Sequence, residues 1–224
     1  MANAFYEKLA ANYDTKSSLR NRLQDTLEEI ISFPGIHKNL CVCIVDAVNS
    51  TMVTAMLEKE KVCKYYSVFL NAMACVASEF GAVVVKTVGD SLLYYFPETS
   101  NPTNMNAFAN SLECGLEMIN ARCIVNDKMS KYDLPPVSYR ISADYGSVLT
   151  AKSIQSSIDD IFGPAVNMCA KMNHVAMPNS MIIGGDLHQI VKPLVDCYAF
   201  HSLGGLMSGL KFQYPVYSVM RHKV

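Results

Sequence analysis

Two short segments hold the residues of this chain that could do chemistry. Val45-Asp46-Ala47-Val48-Asn49-Ser50-Thr51 and Lys86-Thr87-Val88-Gly89-Asp90-Ser91 each place one carboxylate where an apolar, strand-like run ends. Leu-Cys-Val-Cys-Ile-Val at residues 40–45 feeds Asp46, and Ala82-Val83-Val84-Val85 leads into the turn that holds Asp90. If the two strands are neighbours, both carboxylates meet at one edge of a sheet. Paired carboxylates suit hard divalent cations such as Mg²⁺, which usually also carry substrate phosphates. Taken singly, Asp46 reads as a strand-end or cap residue and Gly89-Asp90 as an ordinary hairpin turn.

A third segment changes that balance. Asp159-Asp160-Ile161-Phe162-Gly163-Pro164-Ala165-Val166-Asn167-Met168-Cys169-Ala170-Lys171 reads as a turn opening a helix that carries Asn167 and Lys171 one turn apart. With the two aspartate segments it resembles the catalytic domain of class III nucleotidyl cyclases, the adenylyl and guanylyl cyclases. The order matches: a strand-end Asp with a Ser/Thr-containing loop, then Lys-x-x-Gly-Asp, then an Asp seven residues before the Asn of Gly-x-x-Val-Asn. Arg140-Ile141-Ser142-Ala143-Asp144-Tyr145-Gly146-Ser147-Val148 resembles the family's strand and turn before that helix. The resemblance runs from about residue 40 to 219.

The resemblance implies a reaction and a distribution of roles. The 3′-oxygen of a nucleoside triphosphate attacks its own α-phosphorus and pyrophosphate leaves. Two Mg²⁺ or Mn²⁺ ions per site would lie between Asp46 and Asp90, with the backbone carbonyl of Ala47 completing one shell. The loop Val48, Asn49, Ser50 and Thr51 would offer backbone N–H groups at a helix start to the phosphates. Asn167 would orient the ribose and Lys171 would meet the α-phosphate charge. Lys86 and Asp160 hold the positions with which adenylyl cyclases read adenine, a donor for the ring nitrogen and an acceptor for the exocyclic amine. Cytosine shows a similar edge, so this code excludes guanine better than cytosine. ATP is the expected substrate, with a pyrimidine nucleotide or GTP as alternatives. The family also draws a phosphate-binding Lys from its C-terminal strand pair, and Lys211 is the only Lys between 203 and 219.

The chain departs from the family at Lys171, where Arg is usual. Lys supplies the charge without the planar fork that contacts two oxygens at once. Loss of one such preorganised contact costs about 10²–10³ in rate. A nucleotide-binding regulatory domain with weak or lost turnover is therefore the competing reading. Family sites form at a dimer interface, one protomer giving Asp46 and Asp90 and the other Lys86, Asp160, Asn167 and Lys171. With both sets on one chain, a homodimer with two sites follows from the resemblance. Removing either metal carboxylate is expected to relieve like-charge repulsion and leave the fold intact.

Composition sets the outer bounds. At 224 residues and 50% hydrophobic, the chain is the size of one domain with an appendage and can bury a sizeable core. Nineteen basic against 20 acidic residues give a formal charge of −1, so no basic field calls for nucleic acid. No apolar stretch reaches membrane-span length and no signal-peptide segment opens the chain, so no membrane partner is expected. The eight cysteines lie mostly in apolar patterns without a C-x-x-C pair, which reads as buried free thiols in a cytoplasmic protein.

Residues 5–32 read as a helix on the spacing of Leu19, Leu23, Leu27 and Ile30/Ile31, ending at Pro34-Gly35. That gives an N-terminal helical segment at 1–35 and a catalytic domain at 36–224, with room for an upstream regulatory domain or protein. The expected elements are a strand at 40–46, a helix at 52–80, a hairpin at 82–88 and 91–96, and a second long helix from Met105. A strand at 137–145, the Asn167 helix at 163–176, a strand at 180–184, a short helix at 185–192 and strands at 197–203 and 211–219 follow. This is an α+β sandwich: a ferredoxin-like βαββαβ core with extra C-terminal strands and helices. Gly184-Gly185-Asp186-Leu187 resembles the start of the diguanylate cyclase signature. That signature sits in a central hairpin, whereas these residues open a short helix, so Asp186 reads as a cap.

Overall fold

The structure, a computed structural model, describes residues 31–153, 159–206 and 213–222. Strand β1 (Ile31–Ser32) and strand β2 (His37–Ala47) precede helices α1 (Ser50–Ala55) and α2 (Lys59–Glu79). The hairpin β3 (Val83–Val88) and β4 (Ser91–Phe96) leads to α3 (Met105–Asn120) and α4 (Arg122–Lys131). Then come β5 (Tyr139–Ser153), β6 (Asp160–Phe162), α5 (Pro164–Asn173), β7 (Met181–Gly184) and α6 (Gly185–Val191). Strands β8 (Tyr198–Leu206) and β9 (Tyr214–Arg221) close the described chain.

Among the described residues the strands form one sheet ordered β3-β4-β2-β5-β7-β9-β8, with β1 and β6 added along β5. The first four are antiparallel neighbours, as a βαββαβ unit requires, and β7 joins β5 in parallel. Alternation on β2 divides the molecule. Cys41, Cys43, Val45 and Ala47 enter the main core with Tyr65, Phe69 and Met73 of α2 and Phe108 and Leu112 of α3. Leu40 and Val42 point the other way, toward Val148 of β5 and Ala165 of helix α5. Both faces of β2 are covered there, which is why its sequence is a continuous apolar run.

Several elements differ from the sequence expectation. The helix expected over 52–80 is two helices, because the chain is extended at Glu58 and Leu57 turns in to pack on the main core. The helix expected over 5–32 lies outside the described residues except at its end. Ile31 and Ser32 are strand, paired with Ser153 and Lys152, so backbone pairing overrides helical spacing there. The strand expected over 137–145 continues to Ser153, sustained by successive pairing with β2, β6 and β1. Asp186 lies in the first turn of α6 rather than at its cap, which is Gly184. All eight cysteines are free, but only Cys41, Cys43, Cys114 and Cys169 are buried. Cys63 and Cys75 ride the outer face of α2, Cys123 opens α4, and Cys197 precedes β8; all four are exposed. Among the described residues no helix is long and apolar enough to cross a membrane.

One buried carboxylate ties β5 to the start of β9. Asp144 is 1% exposed and accepts hydrogen bonds from the Tyr214 hydroxyl at 2.9 and 2.8 Å and from the Tyr145 amide at 2.9 Å. Burial outweighs these donors and pushes its pKa up to about 7. The folded protein thus holds this proton more tightly than the unfolded chain. The contribution of Asp144 is most favourable below its unfolded pKa, falls as pH rises from about 4 to about 7, and is level above that. At about 1.36 kcal/mol per pH unit the ionised form costs roughly 4 kcal/mol. Asp144→Asn cannot ionise. It should be more stable than wild type at pH 8 by up to roughly that amount, and nearly equal to it at pH 4. Urea unfolding at the two pH values checks this; a difference that does not change with pH would rule it out.

Candidate active site

Cross-strand register builds the centre of the site. Asp46, near the end of β2, lies opposite Ser91 of β4 on one side and Arg140 of β5 on the other. Directly opposed residues on one face are within side-chain reach. The Ser91 hydroxyl donates to Asp46 Oδ1, and Arg140 donates to Asp46 Oδ2 through Nε at 3.2 Å and Nη2 at 3.0 Å. Arg140 Nη1 also donates to the His174 carbonyl at 3.2 Å, at the C-terminal end of α5. A cation there is favourable both to the last carbonyls and to the helix dipole.

Asp90 arrives from the hairpin. Gly89 has φ +62° and is the first of two loop residues joining β3 to β4, where a tight hairpin favours glycine. The next residue is Asp90, whose Oδ2 accepts from the Ser50 hydroxyl. Asp46 and Asp90 therefore share one sheet edge, linked through Ser50 and Ser91. The expectation of two mutually repelling carboxylates is revised, because Arg140 neutralises Asp46.

The loop after β2 turns through Asn49 at φ +57°, a left-handed conformation Asn tolerates, and enters α1 at Ser50. The amide of Val48 donates to the Ser138 carbonyl at 2.7 Å, so that donor is spent inside the fold. Asn49, Ser50 and Thr51 remain at the loop and helix start, where first-turn N–H groups have no partner within the helix. Ala47 is buried at the last position of β2.

A β-bulge sets Lys86. Register slips between Val84 and Lys86, so Val85 packs toward α5 while Lys86, its neighbour, lines the cleft. Lys86 forms an ion pair with Asp160, the first residue of β6, and its ammonium lies 5.7 Å from the Phe162 ring centre. Phe162 meets Phe33 edge-on at 5.6 Å.

Helix α5 brings Asn167 and Lys171. Gly163 precedes it at φ +143°, a backbone region that favours glycine, and a Cβ there would lie 2.5 Å from the Ser147 carbonyl. Pro164 at the first helical position fixes the opening turn. Beneath the helix runs a buried polar seam. The Ser142 hydroxyl donates to the Cys169 carbonyl at 2.8 Å, and Asn173 Nδ2 reaches the Ile44 carbonyl at 3.1 Å and Ser142 Oγ at 3.2 Å. Burial holds the Cys169 thiol well above its usual pKa, so it stays protonated.

These elements enclose a cleft of about 420 Å³. Asp46, Lys86, Ser91 and Asn167 line it, with Ile44, Leu93, Ile161, Phe162 and Val166 as apolar walls. Asp160 joins through Lys86, and Asp90 through the Ser50 and Ser91 contacts. Lys171 is on the exposed side of α5, outside the cleft lining. Lys211 lies outside the described residues.

The donor set is oxygen, as a hard cation requires. Three of the roughly four lone-pair sites on Asp46 are engaged by Ser91 and Arg140, leaving one on Oδ1, while Ser50 takes one on Asp90. Among the described residues no group of three or more His, Cys, Asp or Glu could enclose a metal alone. The pair thus fits an ion that brings water and phosphate oxygens with it. Close by, the buried Tyr65 hydroxyl has no hydrogen-bond partner among the described residues. Burial, then Tyr66 and Asp90, raise its pKa to about 12.

Arg140, Ser91, Asn173 and Tyr65 were not singled out from sequence. Arg140 gave the one signal, a lone cation opening an apolar strand, whose meaning depends on register with Asp46. Arg140→Gln removes both bonds to Asp46 and the bond to α5. With side-chain exposures of 21% and 16% in the pair, a loss of about 2–3 kcal/mol is expected, below the cost of breaking a fully buried one. A urea midpoint equal to wild type would show that the guanidinium holds nothing.

A family model described as the adenylate and guanylate cyclase catalytic domain matches residues 34–207. No curated protein matches the chain. Among solved structures, the adenylyl cyclase CyaB from P. aeruginosa superposes with a TM-score of 0.74 at 18% identity, covering 84% of this chain and 96% of that one. The guanylyl cyclase Cya2 gives 0.73 at 20% identity, over 82% and 92%. A non-canonical dimeric guanylyl cyclase domain of the RhoGC fusion protein from the aquatic fungus Blastocladiella emersonii gives 0.68 at 15% identity, over 84% and 99%.

Proposed function

Since the chain belongs to the adenylate and guanylate cyclase catalytic-domain family, we propose that it is a homodimeric nucleotidyl cyclase converting ATP to the 3′,5′-cyclic monophosphate and pyrophosphate. The observation that carries this reading is that one open sheet face presents both half-sets, Asp46 on one side and the Lys86–Asp160 pair with Asn167 on the other, as two facing copies would need. When bound at Asp46 and Asp90, with the Ala47 carbonyl, two Mg²⁺ or Mn²⁺ ions would lower the pKa of the 3′-hydroxyl and offset charge on the transferring phosphorus.

The chain's own residues do the rest. Asn49, Ser50 and Thr51 offer amides to the β- and γ-phosphates, and Asn167 orients the ribose. Lys171 faces the α-phosphate, and Lys211 is the second candidate for phosphate charge. Lys86 and Asp160 read the base, for which their ion pair must open. A base whose Watson–Crick edge presents an acceptor beside an amine replaces that pair bond for bond, and guanine's edge does not. The similar folds are named as adenylyl and as guanylyl cyclases, so the base choice rests on Lys86 and Asp160 alone. A second copy facing the same sheet face would cover the apolar walls of the cleft and complete two sites. The RhoGC domain is named as a non-canonical dimer in one structure and as a monomer in another, so the pairing rests on this chain's own open face. We place the catalytic domain at residues 36–224 with 1–35 as an appended segment, in keeping with a family match that begins at residue 34. Eight free cysteines suit a cytoplasmic protein.

A second reading has its own support. Arg140 occupies Asp46, and Lys171 replaces the usual Arg, as in a nucleotide-binding domain with lost turnover. Product analysis with Mn²⁺ and each of the four nucleoside triphosphates separates the two readings. Cyclic AMP is expected, and no cyclic product from any nucleotide would favour the regulatory domain.

Asp46→Ala and Asp90→Ala should each abolish cyclisation. Asp46→Ala should also lose stability, since it strands Arg140; turnover near wild type in either would overturn the metal assignment. Mixing inactive Asp90→Ala with inactive Asn167→Ala should restore activity, because one site of a mixed dimer keeps every native residue. Demonstrated subunit exchange without recovery would rule out shared sites. Lys171→Arg should raise kcat with little change in KM, and Lys171→Ala should lower kcat. An unchanged rate in Lys171→Ala would move the phosphate role elsewhere, with Lys211 the first to test.

A further inference from the structure

We propose that Ser50 and Ser91 are positioning residues that aim the two carboxylates at a divalent cation, each serine holding the aspartate of the other's segment. The inference rests on the metal reading of Asp46 and Asp90 above. Ser50 lies four residues after Asp46, yet its hydroxyl donates to Asp90. Ser91 directly follows Asp90, yet its hydroxyl donates to Asp46. The two bonds cross. The loop after β2 and the β3–β4 hairpin therefore cannot shift past one another without losing both.

Each contact has a physical reason to be firm. Ser50 is 4% exposed, so water cannot readily replace Asp90 as its acceptor. Its own carbonyl accepts from the Thr54 hydroxyl at 2.8 Å, one helical turn on, which fixes the start of α1 beneath the hairpin. Ser91 is held by the β2–β4 ladder directly opposite Asp46. Hydroxyl donors to a carboxylate are charge-assisted and short. They also leave lone pairs on both aspartates, so each serine can orient its carboxylate and remain bonded while a cation is bound. Second donors of this kind fix the angle at which a carboxylate meets a metal, and their loss costs about 10–100-fold in metal affinity or activity.

The test is Mn²⁺ binding to the full chain, followed by electron paramagnetic resonance, with each of the four 3′-deoxynucleoside triphosphates in turn. These carry the phosphates but lack the attacking hydroxyl. Ser50→Ala and Ser91→Ala are each expected to weaken Mn²⁺ binding about 10-fold or more. Ser91→Thr, which keeps a hydroxyl at a strand position, should restore it. A purely structural role would lower the melting temperature and leave the Mn²⁺ isotherm in place. Binding within about twofold of wild type in both alanine variants overturns the proposal. If Ser50→Ala does not fold, Ser91→Ala and its Thr rescue decide alone. Asp46→Asn and Asp90→Asn separate the two levels of the argument. If they lose Mn²⁺ while the serine variants keep it, only the serine roles fall. If they bind as wild type does, or wild type takes up no Mn²⁺, the metal reading falls with them.

Discussion

One guanidinium joins the parts of this molecule that have to act together. Arg140 grips Asp46 with two nitrogens and the end of α5 with the third. Asp46 belongs to the strand that divides the two cores, and α5 carries Asn167 and Lys171. Any tilt of the helix is therefore felt at the carboxylate, and any rotation of the carboxylate at the helix. A lysine could neutralise Asp46 but could not span both partners in one plane. The fork geometry makes the residue specific to this position in a way its charge alone does not.

The same helix is held from below by polar rather than apolar contacts. Ser142, Cys169 and Asn173 form a seam in which carbonyls of β2 and β5 find donors on α5. Apolar packing alone would let the helix slide along the sheet at little cost. Hydrogen bonds to fixed carbonyls set its position and rotation, because a misplaced helix leaves buried groups unpaired. Asn167 sits on the turn above this seam, so its direction into the cleft is inherited from the buried contacts of Ser142, Cys169 and Asn173.

Much of this was legible in the sequence, and the rest was not for reasons that can be named. The apolar run at 40–45 and the pairs Gly89-Asp90 and Gly163-Pro164 disclosed strand, hairpin and helix start because each is a local backbone requirement. The strands at 40–45 and 82–85, weighed as neighbours from sequence, are separated by β4. Asp46 and Asp90 still share an edge because the β3–β4 turn holds Asp90 next to Ser91, which lies opposite Asp46. Ser91 and Arg140 were hidden because their meaning lies in register across three strands, which no single-segment pattern encodes. The break between α1 and α2 was hidden because the residues around Glu58 have good helical spacing, and the pull of Leu57 toward the core is tertiary. Strand β6 was missed because three residues are too few to show alternation. Its role depends instead on the long β5, whose second half pairs with whatever returns beside it.

The bulge at Val85 shows how such local irregularity serves the site. In a regular strand Val85 and Lys86 would face opposite sides of the sheet, and a valine buried against α5 would send Lys86 toward the main core. Burying that ammonium among Tyr65, Phe69 and their neighbours would cost far more than a ladder irregularity. The extra residue lets both side chains take the cleft side, one packed and one poised over Asp160. Beyond the bulge the strand resumes regular pairing, with Thr87 opposite Leu92 and Val88 opposite Ser91. The bulge thus places Lys86, while the turn at Gly89 places Asp90. Restoring regular pairing at the bulge would turn Lys86 away from Asp160, although the residue itself would not have changed.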